Sequence, residues 1–506
     1  MVKEQQKQSG NIVAIVMMIL LFGMISFVTN LAAPMGIVLK NQFGVSNAMG
    51  MLGNMANFIA YAVMGIPSGL LLQRVGFKKT ALIAIAVGFV GVFIQFLSGH
   101  ASATSAFVIY LLGAFVAGFS MCLLNTVVNP MLNTLGISQA KAKGKSDKDA
   151  ENEGNQLIQI GGSFNSLLAT FTPVFVGILI GGAIAQAEIS KVFPVMYIAM
   201  GVFALVFFVL LAVSIPEPGI VRSSEPLGNL MRGALKFRHF ILGAIAIFVY
   251  VGVEVGTPAT YNLYMTGFTN EQAKEKVAEY QKQKNDPAYL AELKTQDLAN
   301  KKTPKYEVQE IKDNIYDSAQ KIIEGKSKPG LGMNAGVAGG IVGFYWLLML
   351  VGRLIGASIG NKVSAKKMLA VASTVGIILV FAAIFSSITT TVRMPAFDTS
   401  GGSLSMGMPE VPIRFLFLAL VGLCTSIMWG GIFNLATAGL GKFIAAASGI
   451  FMVLVCGGGI LPWIQANVAD LAGYMISYLV IVIGLAYLLF YALIGSKNVN
   501  KNIKVD

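Results

Sequence analysis

The sequence predicts an all-α membrane protein: twelve transmembrane helices in two pseudo-symmetric six-helix halves, with an extracytoplasmic helical insert. Three observations carry this. Of the 506 residues, 55% are hydrophobic and 12% charged, with a mean hydropathy of +0.71, whereas soluble domains carry about 25% charged residues. Apolar stretches such as 11–38, 81–97, 193–213 and 475–494 approach or exceed the roughly 20 residues that cross about 30 Å of hydrocarbon as a helix. Loop motifs in the first half also return at matching places in the second.

The spans fall near 11–37, 47–73, 80–98, 105–135, 156–184, 190–214, 240–267, 334–360, 368–387, 412–437, 443–469 and 472–495. The first is too long for the apolar core of a signal peptide, about 7 to 15 residues, and no small-residue cleavage pattern closes it. It reads as helix 1. An even number of spans puts both termini on one face. That face collects Lys3, Lys7, Arg74, Lys78, Lys79, the lysines of 141–148, the arginines and lysine of 222–238, Lys362, Lys366, Lys367, Lys442 and the lysines of 497–504. Short loops on the other face carry Lys40, Lys191, Arg393 and Arg414. Basic residues in short loops stay in the cytoplasm, so both termini are expected there, in a plasma membrane or the inner membrane of a Gram-negative cell. The net charge of +13 then reflects topology and contact with anionic headgroups, with no nucleic-acid partner implied.

Four segments follow: a first half over 1–216, a cytoplasmic linker over 217–239, a second half over 240–506, and an insert over 268–331 within that second half. The insert holds twelve lysines and eleven acids. It is expected outside, where long segments are largely exempt from the charge rule. Thr269 followed by Gln272 reads as a capping box, and Asp286-Pro287 and Thr303-Pro304 as helix starts. Gly325 suits a helix end, and Val308, Ile311, Ile315, Ala319 and Ile322 share one helical face. The insert is either a solvated decoration or a lid, or a dock for an extracytoplasmic partner.

An enzyme is disfavoured. Cys122, Cys424 and Cys456 lie inside spans with no paired spacing, and His100 and His239 fall at membrane edges. Neither set suggests a metal, a cofactor or a His-based nucleophile.

The repeat sharpens the class. The loop after span 2 reads Gln73-Arg74-Val75-Gly76-Phe77-Lys78-Lys79, and the loop after span 8 reads Asn361-Lys362-Val363-Ser364-Ala365-Lys366-Lys367. Asn129 precedes Leu135-Gly136 by the same interval as Asn434 precedes Leu440-Gly441. Parallel six-helix repeats related by an axis along the membrane normal place a binding site between the halves.

Gly69-Leu70-Leu71-Leu72-Gln73-Arg74-Val75-Gly76-Phe77-Lys78-Lys79 resembles the major facilitator loop motif, with Gln73 where that motif usually has aspartate. Ile66-Pro67-Ser68-Gly69, Phe164-Asn165-Ser166, Tyr250-Val251-Gly252-Val253-Glu254, Phe344-Tyr345-Trp346, Gly352-Arg353, Ser426-Ile427-Met428 and Gly457-Gly458-Gly459-Ile460-Leu461-Pro462 resemble the fucose/galactose/glucose proton symporter branch. The resemblance covers both halves and leaves out the insert. It implies a sugar transporter coupled to H+. Ala33 and Asn125 stand where fucose-type members carry acids in helices 1 and 4.

Glu254 lies near the middle of span 7. An ionisable group at that depth is costly and marks function by default, and the resemblance places an acid there in glucose/galactose members. It is the proton-coupling candidate, against a structural role in a helix contact. Arg353 in span 8 reads as a partner for carbonyls or acids at a cytoplasmic gate, together with Gly69, Gln73, Arg74, Gly76, Lys78, Lys79 and Lys362. Asn30, Asn57, Asn125, Asn129, Asn165, Asn262, Asn434 and Gln465 are amides that lipid cannot satisfy. Interleaved with Tyr61, Tyr345, Trp346 and Trp429, they suit a neutral polyol, whose hydroxyls donate and accept and whose apolar face stacks on rings. The expected activity is proton-coupled uptake of a small neutral sugar by alternating access. Its rivals are an uncoupled facilitator or exporter of an amphipathic solute, and a non-transporting sensor acting through the insert.

Overall fold

In the computed structural model of the chain, residues 12–30, 35, 46–101, 103–180, 192–213, 227–287, 304–359, 363–398 and 405–499 are described. The twelve spans are Ile12–Asn30, Leu52–Val75, Phe77–Ser98, Ala103–Ala142, Asp147–Ile180, Phe193–Ala212, Arg238–Thr266, Ala335–Ile359, Ala365–Phe385, Ile413–Thr437, 444–472 and Tyr474–Gly495. Among the described residues, eleven stretches are long and apolar enough to cross a membrane. Span 5 carries Gln156, Gln159, Ser163, Asn165 and Ser166. A helix this polar is expected in the bundle interior, not facing lipid.

The packing repeats between the halves. Spans 3 and 4, 2 and 4, and 3 and 6 pack together in the first half, as spans 9 and 10, 8 and 10, and 9 and 12 do in the second. Spans 2 and 11, and spans 5 and 8, join one half to the other. Small residues allow the close approaches. A Cβ at Gly118 of span 4 would lie 2.1 Å from the Asn57 carbonyl oxygen of span 2. Membrane helices lack a hydrophobic drive toward one another and associate through such backbone proximity.

Several boundaries differ from the sequence expectation. A loop was expected over 135–156, but span 4 continues to Ala142 and span 5 starts at Asp147, leaving a short turn in which Gly144 has φ +73°. Helices need not stop where the hydrocarbon stops, because water satisfies the backbone beyond it, and Ser146 caps the new start by accepting from Asp149 N at 3.2 Å. Within the expected linker, Leu227–Ala234 is a helix, with Leu230 and Ala234 buried.

Spans 10 and 11 are broken. Span 10 divides into Ile413–Thr425 and Met428–Thr437, and span 11 into Ile444–Leu454 and Gly457–Ala472. The second break sits directly before the Gly457-Gly458-Gly459 run, where a Cβ on Gly457 would lie 1.9 Å from the Phe248 carbonyl oxygen.

Two features stand on the face where spans 7 and 8 are joined, called here the insert face. The first is the insert itself. Asn270–Lys284 begins with the expected capping box, Thr269 and Gln272 satisfying each other's backbone amides. Pro304–Ile323 packs against it through Ala319 and Ile322 on Ala273 and Val277, and Gly325 takes φ +71° just past its end. Ile315 is buried too, while the side chains of Val308 and Ile311 and the Thr303 cap lie outside the described residues. Four backbone bonds, Gly330 N to Phe268 O, Leu331 N to Tyr264 O, Gly332 N to Gly267 O and Met333 N to Met265 O, staple the base of the insert to the end of span 7.

The second feature is β-structure within an otherwise helical chain. Between spans 9 and 10, β1 (Thr391–Arg393) pairs with β4 (Glu410–Pro412), and β2 (Ala396–Asp398) with β3 (Ser405–Gly407), all antiparallel. Phe397 of β2 packs on Gly340 and Gly343 of span 8, and its ring lies 5.8 Å from Phe171 of span 5.

Candidate functional site

Glu254 lies about 24 Å along span 7 from its Arg238 end, at 1.5 Å per residue. Arg353 sits about 9 Å from the Ile359 end of span 8. Helical side chains lean toward their own N-terminus, which for span 8 is the insert face. The long arginine therefore climbs to the depth of the glutamate. Arg353 Nη2 stands 3.5 Å from Glu254 Oε1, and both side chains are 13% exposed. Its other arm, Nη1, donates to the carbonyl of Gly162 in span 5. A Cβ on Gly162 would lie 3.3 Å from Nη1, so glycine leaves room for the guanidinium. One cation thus holds an acid of its own half and a carbonyl of the other.

Aromatic groups frame this pair. Tyr345 Oη donates to the Glu254 carbonyl at 3.1 Å and lies 3.2 Å from Thr425 Oγ1. The Tyr250 hydroxyl adjoins the Glu254 carboxylate without meeting hydrogen-bond geometry, and its ring is 6.2 Å from Trp429. Trp346 and Tyr261 lie 5.3 and 6.5 Å from the Tyr345 ring.

In the first half, Asn125 Nδ2 donates to Tyr61 Oη at 2.9 Å, and Asn129 Nδ2 to the Asn125 carbonyl at 3.0 Å. Asn165 Nδ2 donates to the Phe22 carbonyl at 2.9 Å, linking spans 5 and 1, and Asn30 bonds locally to Ser26. Three of the expected amides are buried with unpartnered atoms: Oδ1 of Asn57, Oδ1 of Asn262, and both amide atoms of Gln465. Their capacity is open to a polar guest.

Other candidates stand apart. Asn434 is exposed near the end of span 10. Of the expected gate, Gln73, Arg74 and Lys79 are exposed, nothing lies within 4 Å of a Cβ on Gly69, and Gly76 (φ +86°) turns the chain into span 3. Lys78 donates to the Leu211 and Val213 carbonyls, in its own half. Lys362 lies outside the described residues. Sequence reading placed Arg353 at the gate and Glu254 at the midplane as separate devices, and the structure joins them. Tyr250, Thr425 and Gly162 were missed. Tyr250 was accessible, since i and i+4 share a helical face, but Gly162 meets the pair, and Thr425 meets Tyr345, only through tertiary packing.

No protein-family model matches the sequence. A glucose/galactose transporter of Brucella abortus is 28% identical over 506 residues, covering 98% of this chain and 97% of that protein. An L-fucose-proton symporter of Haemophilus influenzae is 25% identical over 263 residues, 48% of this chain and 59% of that one. Among solved structures, the major facilitator superfamily transporter FucP in its outward conformation superposes with a TM-score of 0.60, at 17% identity, over 97% of this chain and 100% of that chain.

The fold is that of a major facilitator transporter. In sequence the chain resembles the fucose/galactose/glucose branch of that superfamily. It is a multi-pass membrane protein, not an enzyme. The Arg353 bridge between spans 5 and 8 then occupies the seam between the two major facilitator repeats.

Proposed function

We propose that the chain takes up a small neutral sugar together with a proton by alternating access. The halves 1–216 and 240–506, joined by the linker 217–239, rock about the site beside Glu254, with both termini in the cytoplasm. The whole-length similarity to a glucose/galactose transporter supports the sugar. So does the polar lining: Tyr61 with Asn125, Asn129 and Asn165 on one side, and Tyr345, Trp346, Trp429, Asn262 and Gln465 on the other. The amides and tyrosine hydroxyls both donate and accept, as sugar hydroxyls require, while the indoles donate and offer a stacking face.

The observation that carries the coupling is the two-sided hold of Arg353, an ion pair to Glu254 and a hydrogen bond to the Gly162 carbonyl. Removing one partner of a low-dielectric ion pair leaves an uncompensated charge. A proton on Glu254 would therefore loosen the hold on Arg353, and with it the tether to the first half. Arg353 Nη1 can then exchange the Gly162 carbonyl for a sugar hydroxyl while the halves part. After release of sugar and proton, the ionised Glu254 recaptures Arg353 and the tether re-forms. Proton and sugar thus act on one cation from its two sides.

The test is uptake into proteoliposomes across a panel of hexoses and deoxyhexoses, with and without an imposed pH gradient. Wild type should accumulate at least one sugar against its gradient. Glu254→Gln should equilibrate it without accumulation. Undiminished gradient-driven accumulation in Glu254→Gln would sink the coupling. A second reading, an uncoupled carrier, draws on Ala33 and Asn125 standing where related symporters carry acids, and is the outcome if wild type also only equilibrates its sugar.

A further inference from the structure

On the insert face the two halves meet through a carboxylate. Asp470, near the end of span 11, faces Asn47 and Ala48 at the helical turn Asn47–Gly50 that leads into span 2. Asp470 Oδ1 accepts from Asn47 Nδ2 at 2.7 Å and from the Asn47 backbone N–H at 3.3 Å, while Oδ2 accepts from the Ala48 N–H at 3.0 Å. Asn47 is 1% exposed, and Nδ2 also donates to Tyr474 Oη at 2.9 Å. The donors belong to the first half and the acceptors to the second, so parting of the halves here breaks the set together. Hydrogen bonds to an ionised carboxylate are about twice as strong as neutral ones.

The acceptor side is braced. The Tyr474 ring stacks on Tyr264 at 4.7 Å and 21°. Tyr264 Oη accepts from Nη1 of the buried Arg414 at 3.4 Å, and Arg414 Nη2 donates to the Ser386 carbonyl. Spans 7, 10, 11 and 12 thereby present one preformed socket. The other described polar ties across the seam are single contacts deeper in the bundle: Asn54 Nδ2 to the Gly458 carbonyl at 2.8 Å, and Arg353 to Gly162.

We propose that Asp470 is a latch: its carboxylate holds the insert-face ends of spans 2 and 11 together and sets how often that face opens. The latch rests on the alternating access proposed above, but its test reads distance and needs no knowledge of the cargo.

Spin labels on Val108→Cys and Phe385→Cys, both exposed near the insert face and one in each half, report opening there. Leu211→Cys with Ile494→Cys reports the opposite face. The native cysteines are buried. In Asp470→Asn the ratio of long to short insert-face distances should rise about tenfold, equivalent to about 1.4 kcal/mol. The opposite-face distance should shorten in the same sample. A merely structural role predicts lower thermal stability with unchanged distances, and that result in folded protein overturns the latch. Should Asp470→Asn not fold, Asn47→Ala keeps the acid and removes its side-chain donor, and unchanged distances there are equally fatal. Absence of sugar uptake with shifted distances would sink the cargo and leave the latch standing.

Discussion

The Arg353 guanidinium meets the Glu254 carboxylate at 3.5 Å from a helix running the opposite way across the membrane, and with its other arm holds the Gly162 carbonyl. The second contact makes the pair more than a local brace. An arginine satisfied by Glu254 alone would stabilise one half. One that also grips span 5 links that acid to the seam between the halves.

Glu254→Gln should abolish accumulation driven by a pH gradient while sugar exchange across the liposome membrane falls less than about tenfold, about 1.4 kcal/mol. Glutamine keeps the shape and an acceptor for Arg353 but cannot carry the proton. Counterflow of labelled sugar, measured beside net uptake, separates the two effects.

The pair also predicts non-additive stability. Arg353→Met leaves Glu254 without its cation, a loss of about 3 kcal/mol where such a pair is fully buried and less at 13% exposure. The double variant Arg353→Met with Glu254→Gln should melt higher than Arg353→Met alone. Thermal melts of the three proteins in one detergent decide it, and additive losses would argue that the two residues do not interact.

Gly118→Ala should destabilise by about 1–3 kcal/mol, the usual range for overpacking, because its methyl would lie 2.1 Å from the Asn57 carbonyl oxygen. Gly201→Ala, with nothing within 4 Å of the added methyl, should change little. The contrast is read in the same melts.

In the insert, the Glu271 carboxyl is held below the usual range by its own backbone and the Thr269 side chain, and that of Glu324 by Lys326 and Gln320. A carboxyl lowered by folding contributes stability above its unfolded value and loses it as the pH falls through the folded one. The insert helices should hold constant from neutral pH to about 5 and weaken below about 4, the ordinary glutamate range. The circular dichroism difference between full-length protein and a 270–326 deletion tests this, and a helical signal rising on acidification would contradict it.

What the sequence made legible was local or one-dimensional. The Thr269–Gln272 capping box and the turn at Gly325 are set by neighbouring residues, and span count and the depth of Glu254 follow from hydropathy along the chain. The partners of Glu254 are 99 residues away in Arg353, which no periodicity connects. Asn434 resembled the other amides yet is exposed, because composition tells that a polar group is in a span but not which way it turns. The strands of 391–412 are three residues each, too short for an alternating pattern to emerge. The Asn47–Asp470 contact joins two ordinary polar residues at loop edges and has no signature of its own.

The backbone staple between Tyr264–Phe268 and Gly330–Met333 fixes the insert to the end of span 7 through four hydrogen bonds. A water-exposed body held so firmly is a natural fiducial for electron microscopy of a protein whose remaining mass would vanish into its detergent belt. An antibody fragment raised against Asn270–Lys284 and Pro304–Ile323 would orient each particle image and turn with the half that carries it. The angle between fragment and bundle would then read the transport cycle one molecule at a time.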